Sequence, residues 1–357
     1  MDEVKKDGNY ISLGTELMKR ITLKEIASNF GVSVSTVSKA INDSHEISRE
    51  LKNKIQEFAR EHHYVPNQIA LSLLKKSTKN IGVIVPNILN YFFTQVFYGI
   101  ESTANQRGYH IISCTSNESF LKEVKTMELF GTGTVDGVIL SLSEETQAKN
   151  DIQHLTEFMD TQIPLVMFDR VAESIDCDKV IVDDFEAGYK TTKYLFETGC
   201  KKIAIVSTIF NSSVGALRIE GYKKALEEES IAYDDRLNVK VNKEDDLELL
   251  MSFLLDHDGV DAIIALDEMT AVDVLNILKS KNIDVPGQIS IIGFTNGRLS
   301  KYVSPALTMV SQHGKYIGEL TANILIDRIE NKGNEIPRTT KLVKTSLILR
   351  DSTKSNK

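Results

Sequence analysis

Between residues 22 and 63 the apolar positions fall three times on one face of a helix. Leu23, Ile26, Ala27 and Phe30 keep the i, i+3, i+4, i+7 spacing. Thr22 and Glu25 stand at capping-box separation in front of them, and Gly31 supplies the stop. Val37 and Ile41 lie one turn apart in a second segment starting near Val34, which Asn42-Asp43-Ser44 breaks. Ser48 is placed to cap a third helix in which Leu51, Ile55, Phe58, Ala59 and His62 share a face, and Pro66 closes the unit.

Near residue 80 the pattern changes to short apolar runs alternating with helical stretches. Strands are predicted at 81–85, 110–114, 137–142, 165–169, 179–182, 203–207, 237–241, 262–267 and 289–294, with a late helix at 315–330 followed by extended segments rich in Thr, Leu and Val. Apolar runs without alternation, set between helices, predict parallel sheets covered on both faces. So many strands exceed one small sheet. The fold class expected is a small all-α domain plus an α/β body of two doubly wound parallel-sheet subdomains. Residues 67–78 read as a short amphipathic linker between the two textures.

The length of 357 residues suits a small domain and one or two larger ones. No apolar run approaches the roughly 18 residues of a membrane helix, and residues 1–20 lack the apolar stretch of an export signal. A cytoplasmic protein without a membrane partner is expected. Met18, directly ahead of the first helix, offers a second translation start, so the first residues are expected as a tail. Cys114, Cys177 and Cys200 are odd in number and widely spaced, which predicts small reduced core residues rather than a disulfide or metal set. The net charge of −8 argues against nucleic acid, but its distribution does not. Residues 20–78 carry nine Lys/Arg against six Asp/Glu, a net of +3, and residues 1–19 a net of −1, which leaves −10 for 79–357. A mildly basic front on an acidic body fits a front that touches phosphates.

The second helix carries the chemistry. Ser33, Ser35, Thr36, Ser38 and Lys39 point away from Val32 and Val37, offering small donors and one cation where an ordinary surface helix has Glu and Lys. Small hydroxyls at a helix N-terminus let a backbone phosphate approach closely. A helix, a glycine turn, a second helix and a supporting third make a helix-turn-helix. The rival reading, an α/β enzyme, has Gly131-Thr132-Gly133-Thr134-Val135-Asp136-Gly137 as its best motif. That run follows a helical stretch and precedes a strand, the reverse of a dinucleotide fingerprint, and tight turns explain it better. No cofactor or metal pattern appears, and His62-His63 read as a helix end. A binding protein without DNA function leaves residues 21–73 unexplained.

Ile21-Thr22-Leu23-Lys24-Glu25-Ile26-Ala27, Gly31-Val32-Ser33-Val34-Ser35-Thr36-Val37-Ser38-Lys39-Ala40-Ile41-Asn42, Tyr64-Val65-Pro66-Asn67, Ile81-Gly82-Val83-Ile84-Val85-Pro86 and Asn90-Tyr91-Phe92-Phe93 resemble the lac repressor/gal repressor (LacI/GalR) family, in order, from about residue 21 to 350. The resemblance implies a DNA-binding transcriptional regulator of the repressor kind, a homodimer on double-stranded operator DNA, and a periplasmic-binding-protein-like body controlled by a carbohydrate-like effector. It implies a tail at 1–20, the helix-turn-helix at 21–66 and a hinge helix at 67–78. The first lobe would comprise 79–181 with 311–341, the second 182–310 with 342–350, and 351–357 would be a tail. Val34, Ser35 and Lys39 would face base edges, and Thr22, Ser33, Thr36, Ser38 and Asn42 the phosphates. Ala70 and Leu73 match the hinge pattern, Leu73 at the intercalating position. Lys39 departs from the family's usual Arg and lacks its bidentate fork, and Leu71 stands where Arg is frequent.

In doubly wound domains ligands bind at the carboxyl ends of the strands. Phe92, Phe93, Asp169, Arg218, Asp267 and Thr295 sit there. The resemblance adds Leu266 and Gln312 and makes Arg218 the effector clamp within Arg218-Ile219-Glu220-Gly221-Tyr222. Leu266 replaces an Asn, and Thr295 an Asp, of sugar-binding relatives. The effector is then less hydroxylated, differently oriented, or anionic, and the sequence leaves these open, as it does induction against co-repression. Lys39→Ala is expected to relax base preference at one operator position by roughly 1–3 kcal/mol. Competition between specific and random duplex measures it, and equal loss on both would remove the base-reading role.

Overall fold

The computed structural model describes residues 21–64, 77–242, 244–256, 259–331 and 337–354. The expected tail at 1–20 and the hinge residues 67–76, Ala70 and Leu73 among them, lie outside the described residues. The chain divides into two compact units, Met1–Lys76 and Ser77–Lys357.

The first unit holds α1 (Leu23–Phe30), α2 (Val34–Ile41) and α3 (Arg49–Glu61). The capping box forms: the Thr22 amide donates to Glu25 Oε2 at 2.7 Å and the Glu25 amide to Thr22 Oγ1 at 3.3 Å. Gly31, at φ 65°, ends α1 in the left-handed region. Ser48 occupies the N-cap of α3 but makes no capping bond with its side chain. Ile26, Ala27, Val37, Ala40, Ile55 and Ala59 form the core, and Phe30 meets Phe58 edge-on at 5.4 Å. Val32 is half-buried against the same cluster.

The second unit contains two six-stranded sheets. The first orders β1 (Asn80–Val85), β2 (His110–Thr115), β3 (Gly137–Leu140), β4 (Leu165–Phe168), β5 (Asp178–Val182) and β11 (Thr340–Val343) as β11-β5-β4-β3-β1-β2, all parallel. The second orders β6 (Ile203–Ser207), β7 (Asn238–Lys240), β8 (Ala262–Ala265), β9 (Ser290–Phe294), β10 (Thr308–Ser311) and β12 (Ser346–Ile348) as β12-β10-β9-β8-β6-β7. β12 runs antiparallel to β10, and the other pairings are parallel. The unalternating apolar runs have a simple cause. Val83 and Val85 face one core and Ile84 the other, so both faces of a central strand are buried. β3, β4 and β8 stop earlier than predicted, at Leu140, Phe168 and Ala265, although the amides of Ser141, Asp169 and Leu266 still donate to Ile84, Val180 and Val206.

The chain crosses between lobes after β5, after β10 and after β11. The last crossing falls beyond Val343, so β11 extends the first lobe two residues past the expected boundary at 341. One expectation fails: residues 351–354 are not a tail. The Ser352 side chain is fully buried. Its Oγ accepts from the Thr308 amide (2.8 Å) and donates to the Ile291 carbonyl (2.6 Å), sewing the segment to β9 and β10. A short polar run hid this, since its bonds are to strand backbone that no periodicity reveals. Among the described residues no helix is long and apolar enough to cross a membrane.

Each lobe is braced by a helix pair that touches through glycine. α4 (Tyr91–Gln106) crosses α13 (Gly314–Glu330) at Gly99 and Gly318, and α8 (Asp184–Glu197) crosses α9 (Ser213–Glu228) at Gly188 and Gly221. A Cβ on Gly318 would press into the Val96 carbonyl, which is backbone and cannot step aside. Alanine in an unconstrained helix gains about 1 kcal/mol over glycine, whereas overpacking here costs about 1–3 kcal/mol. Gly318→Ala is therefore expected to lower the melting temperature by several degrees. An unchanged or raised midpoint would show that the helices have room to part.

Candidate functional site

The exposed face of α2 is built around one cap. Ser33 Oγ accepts from the Thr36 amide at 3.1 Å and lies 2.7 Å from Ser35 Oγ and 2.8 Å from Thr36 Oγ1. Three hydroxyls thus gather where the helix dipole is positive. Val34 is exposed beside them, an apolar group on the surface of the kind that meets a thymine methyl. Asn42 Nδ2 donates to the Ser38 carbonyl, and Thr22 is engaged in its own capping box. Lys39 pairs with Glu46 at 2.5 Å, and the ammonium holds that carboxyl below its usual range. Glu46 went unnoticed in the sequence because it lies beyond the helix break, seven residues on.

The body's cleft lies where strand ends of both lobes converge. Asn90 caps α4 through the Phe92 amide (2.9 Å) and so places Phe92 and Phe93, whose rings meet edge-on at 5.2 Å. Asp169 follows β4 and Thr295 follows β9. Each adopts positive φ, 58° and 70°, and each donates its amide to the next strand, to Val180 and Val310. The two lobes use the same turn at the same place. For a β-branched threonine this backbone is strained, a condition that clusters at functional sites.

Arg218 is buried on α9. Its Nε donates to Asp184 Oδ1 at 2.7 Å, its Nη1 donates to the Leu266 carbonyl at 2.8 Å, and its guanidinium lies 4.2 Å from the Phe294 ring centroid. A helix-surface charge is thereby excluded. Asp169 is buried too, and its Oδ1 finds no hydrogen-bond partner among the described residues. Burial first, then the neighbouring Asp184 carboxylate, push the Asp169 carboxyl up to about 7 against the pull of Arg170 and Arg218. Arg170 is committed to Glu118 at 2.8 and 2.9 Å. Asp267 caps α11 (Glu268–Ser280), accepting from the Thr270 amide at 2.9 Å and from Thr208 Oγ1 at 2.8 Å. Thr295 Oγ1 donates to Gln312 Oε1 at 2.9 Å, which leaves the Gln312 NH2 group available to donate.

Phe92, Phe93, Asp169, Arg218, Leu266, Asp267, Thr295 and Gln312 all line one narrow pocket, joined by Asn90, Arg170, Ile209 and Val214. A wider opening of ≈ 530 Å³, lined by Gln147, Glu173, Phe210 and Ser213 among others, lies alongside. At its edge Gln147 Nε2 donates to Ser213 Oγ (2.8 Å) and the Ser213 amide to Gln147 Oε1 (3.2 Å), one link between the lobes.

The model of bacterial regulatory proteins, lacI family, matches residues 22–67, and that of the periplasmic binding protein-like domain matches 192–353. The HTH-type transcriptional repressor PurR of Vibrio atlanticus (strain LGP32) is 32% identical over 318 residues, covering 88% of this chain and 93% of that protein. The chain belongs to the lacI family. Its PurR relative in Histophilus somni (strain 2336) is 28% identical over 316 residues, covering 88% of this chain and 94% of that protein. The lac repressor dimer bound to operator and the anti-inducer ONPF superposes with a TM-score of 0.81 at 20% identity, covering 94% of this chain and all of that one. A LacI family regulator from Enterococcus faecium with bound ribose gives a TM-score of 0.67 at 26% identity, covering 77% and 98%.

This lacI-family chain is accordingly a DNA-binding regulator with a small-molecule-binding body. Its sequence concealed Asp184, which neutralises Arg218 from 34 residues away, and Glu118, which holds Arg170 from 52. Asp267, by contrast, has its oxygens occupied by its own helix and by Thr208, which makes it a cap first.

The raised Asp169 carboxyl has a consequence for stability. The folded protein binds this proton more tightly than the unfolded chain, so the associated stability is present at low pH and is lost as pH rises from about 4 through about 7. Asp169→Asn does not titrate. Its melting temperature relative to the natural protein should climb between pH 5 and pH 8, and a pH-independent difference would mean that Asp169 is ionised throughout.

Proposed function

We propose that the protein acts as a homodimer that reads a two-fold symmetric operator with α2 in the major groove, and that a neutral, carbohydrate-like effector in the interlobe cavity sets its DNA affinity. Val34, Ser35 and Lys39 contact bases. Thr22, Ser33, Thr36, Ser38 and Asn42 contact phosphates, and Ala70 and Leu73 act in the hinge. Lys39 must leave Glu46 to reach a base, so displacement of a carboxylate accompanies recognition.

One observation carries the effector reading. A single cavity gathers strand ends from both lobes around a fixed arginine and an unpartnered carboxylate oxygen. A ligand hydroxyl answers Asp169 Oδ1, an acceptor answers the Gln312 NH2 group, and an apolar ring face lies on Phe92 or Phe93. Charge argues against an anion. Arg218 is paired with Asp184 and Arg170 with Glu118, so among the described residues lining the pocket both arginines already have a carboxylate partner. Solved relatives carrying cellobiose and ribose support a sugar. We propose no catalytic role.

Because the ligand spans both lobes, it shifts DNA affinity by its preference for one lobe arrangement over the other. The test is a thermal-shift screen of neutral sugars against sugar phosphates, with duplexes selected by the protein from a random library. A binding sugar present at 100 times its Kd adds about 2.7 kcal/mol of stability, or roughly 5–10 °C, and Arg218→Ala should abolish the shift. A shift confined to phosphorylated sugars would overturn the neutral assignment.

A further inference from the structure

The glycine run at 131–137, which resembles a nucleotide loop in composition alone, contains an aspartate with a different task. Asp136 collects hydrogen bonds from three consecutive residues at the start of the body. Its Oδ2 accepts from Ser77 Oγ at 2.5 Å and from the Lys79 amide at 2.9 Å. Its Oδ1 accepts from the Thr78 amide at 2.7 Å and Thr78 Oγ1 at 2.8 Å. Burial works against its charge, but the bonds from Ser77, Thr78 and Lys79 outweigh it and hold the carboxyl below its usual range. The Asp136 amide returns a bond to the Asn80 carbonyl at 2.8 Å. Lys79 adopts φ 56°, and its ammonium lies 4.0 Å from the Tyr109 ring centroid, which fixes the outer side of the same turn.

Gly133, at φ 85°, turns the chain back after α5 (Phe120–Leu129), and Gly137 passes under Leu325 and Ile329 without a side chain. The glycines thus serve to bring one carboxylate to residues 77–79. These are the first body residues after the segment that leads from the DNA-reading unit. They run directly into β1, and Asp136 runs into β3, which pairs with β1 from Ile81↔Gly137 to Ile84↔Leu140. At the far ends of the same two strands lie the cleft residues. β1 leads to Asn90, Phe92 and Phe93, and β3 to Leu142, whose amide donates to the Arg170 carbonyl at 3.0 Å.

We propose that Asp136 is a positioning residue for DNA binding: its carboxylate clasps Ser77, Thr78 and Lys79 and so fixes where the chain from the helix-turn-helix unit joins the first lobe. Movement of the lobe is delivered to that point through two paired strands instead of being absorbed by a slack connection. Without the clasp, operator binding must order several more residues of backbone, an entropic cost that weakens affinity.

The test uses the full chain and a duplex that the natural protein enriches from a random library. Asp136→Ala should bind that duplex at least ten-fold more weakly, at a temperature where circular dichroism shows the body fully folded, and residues 77–80 should exchange amide deuterium faster. Ser77→Ala with Thr78→Val keeps the backbone donors and should fall between Asp136→Ala and the natural protein. This double variant carries the test if Asp136→Ala fails to fold. Asp136→Asn, which keeps one acceptor oxygen, should restore part of the affinity. Faster exchange at 77–80 with unchanged DNA affinity would overturn the proposal. So would a loss of affinity that tracks only the unfolded fraction, since that marks a purely structural role.

Discussion

A guanidinium beneath the meeting point of two sheets has to be neutralised, and this requirement organises the body. Arg218 lies on α9 at 3% exposure and is satisfied by Asp184 at the start of α8. An unpaired charge in such a place costs several kcal/mol. The pairing is possible because α8 and α9 touch through Gly188 and Gly221, with the carbonyl of Arg218 itself against Gly188. Close helix packing, the ion pair and the bond from Arg218 to Leu266 are thus one arrangement. The cleft is lined by what that arrangement leaves over: the unpartnered oxygen of Asp169, the aromatic pair and the amide of Gln312.

The two lobes repeat this logic with different side chains. Both order their first five strands alike, both cross a helix pair at glycines, and both leave the sheet through a left-handed residue, Asp169 in one and Thr295 in the other. They differ in chemistry at the cavity. The first lobe brings a buried carboxylate and two phenylalanines. The second brings a neutralised arginine and a threonine–glutamine pair. In the proposed function, a ligand that bridges them meets two unlike halves, and lobe orientation becomes part of its specificity.

Much of this was legible in the chain. Helical periodicity set out the helix-turn-helix, and the unalternating apolar runs set out the parallel strands. The rule that ligands sit at strand ends picked out Asp169 and Thr295 before any coordinates. What was hidden shares one property. Asp184, Glu118, Glu46 and Asp136 act through partners that local spacing does not address, and an isolated acidic residue on a helix or loop reads as surface. β11 and β12 were read only as extended chain and β10 was missed, because all three are short and the first two lie at sheet edges, where the apolar pattern is weak. Ser352 was assigned to a tail for the same reason, since its hydroxyl bonds to backbone, which has no sequence signature.

The late position of α13 and β11 bears on how the protein is made. Sheet one is complete through β5 at Val182, yet Ile317, Ala322, Leu325 and Ile326, which cover one of its faces, come only after β6 to β10 of the second lobe. Ribosomes add about 5–20 residues per second, so that face waits on the order of ten seconds for its lid. Throughout that interval the nascent chain carries a half-dressed apolar sheet, a natural target for holdase chaperones, and the second lobe must itself wait for β12 and Ser352, which come later still.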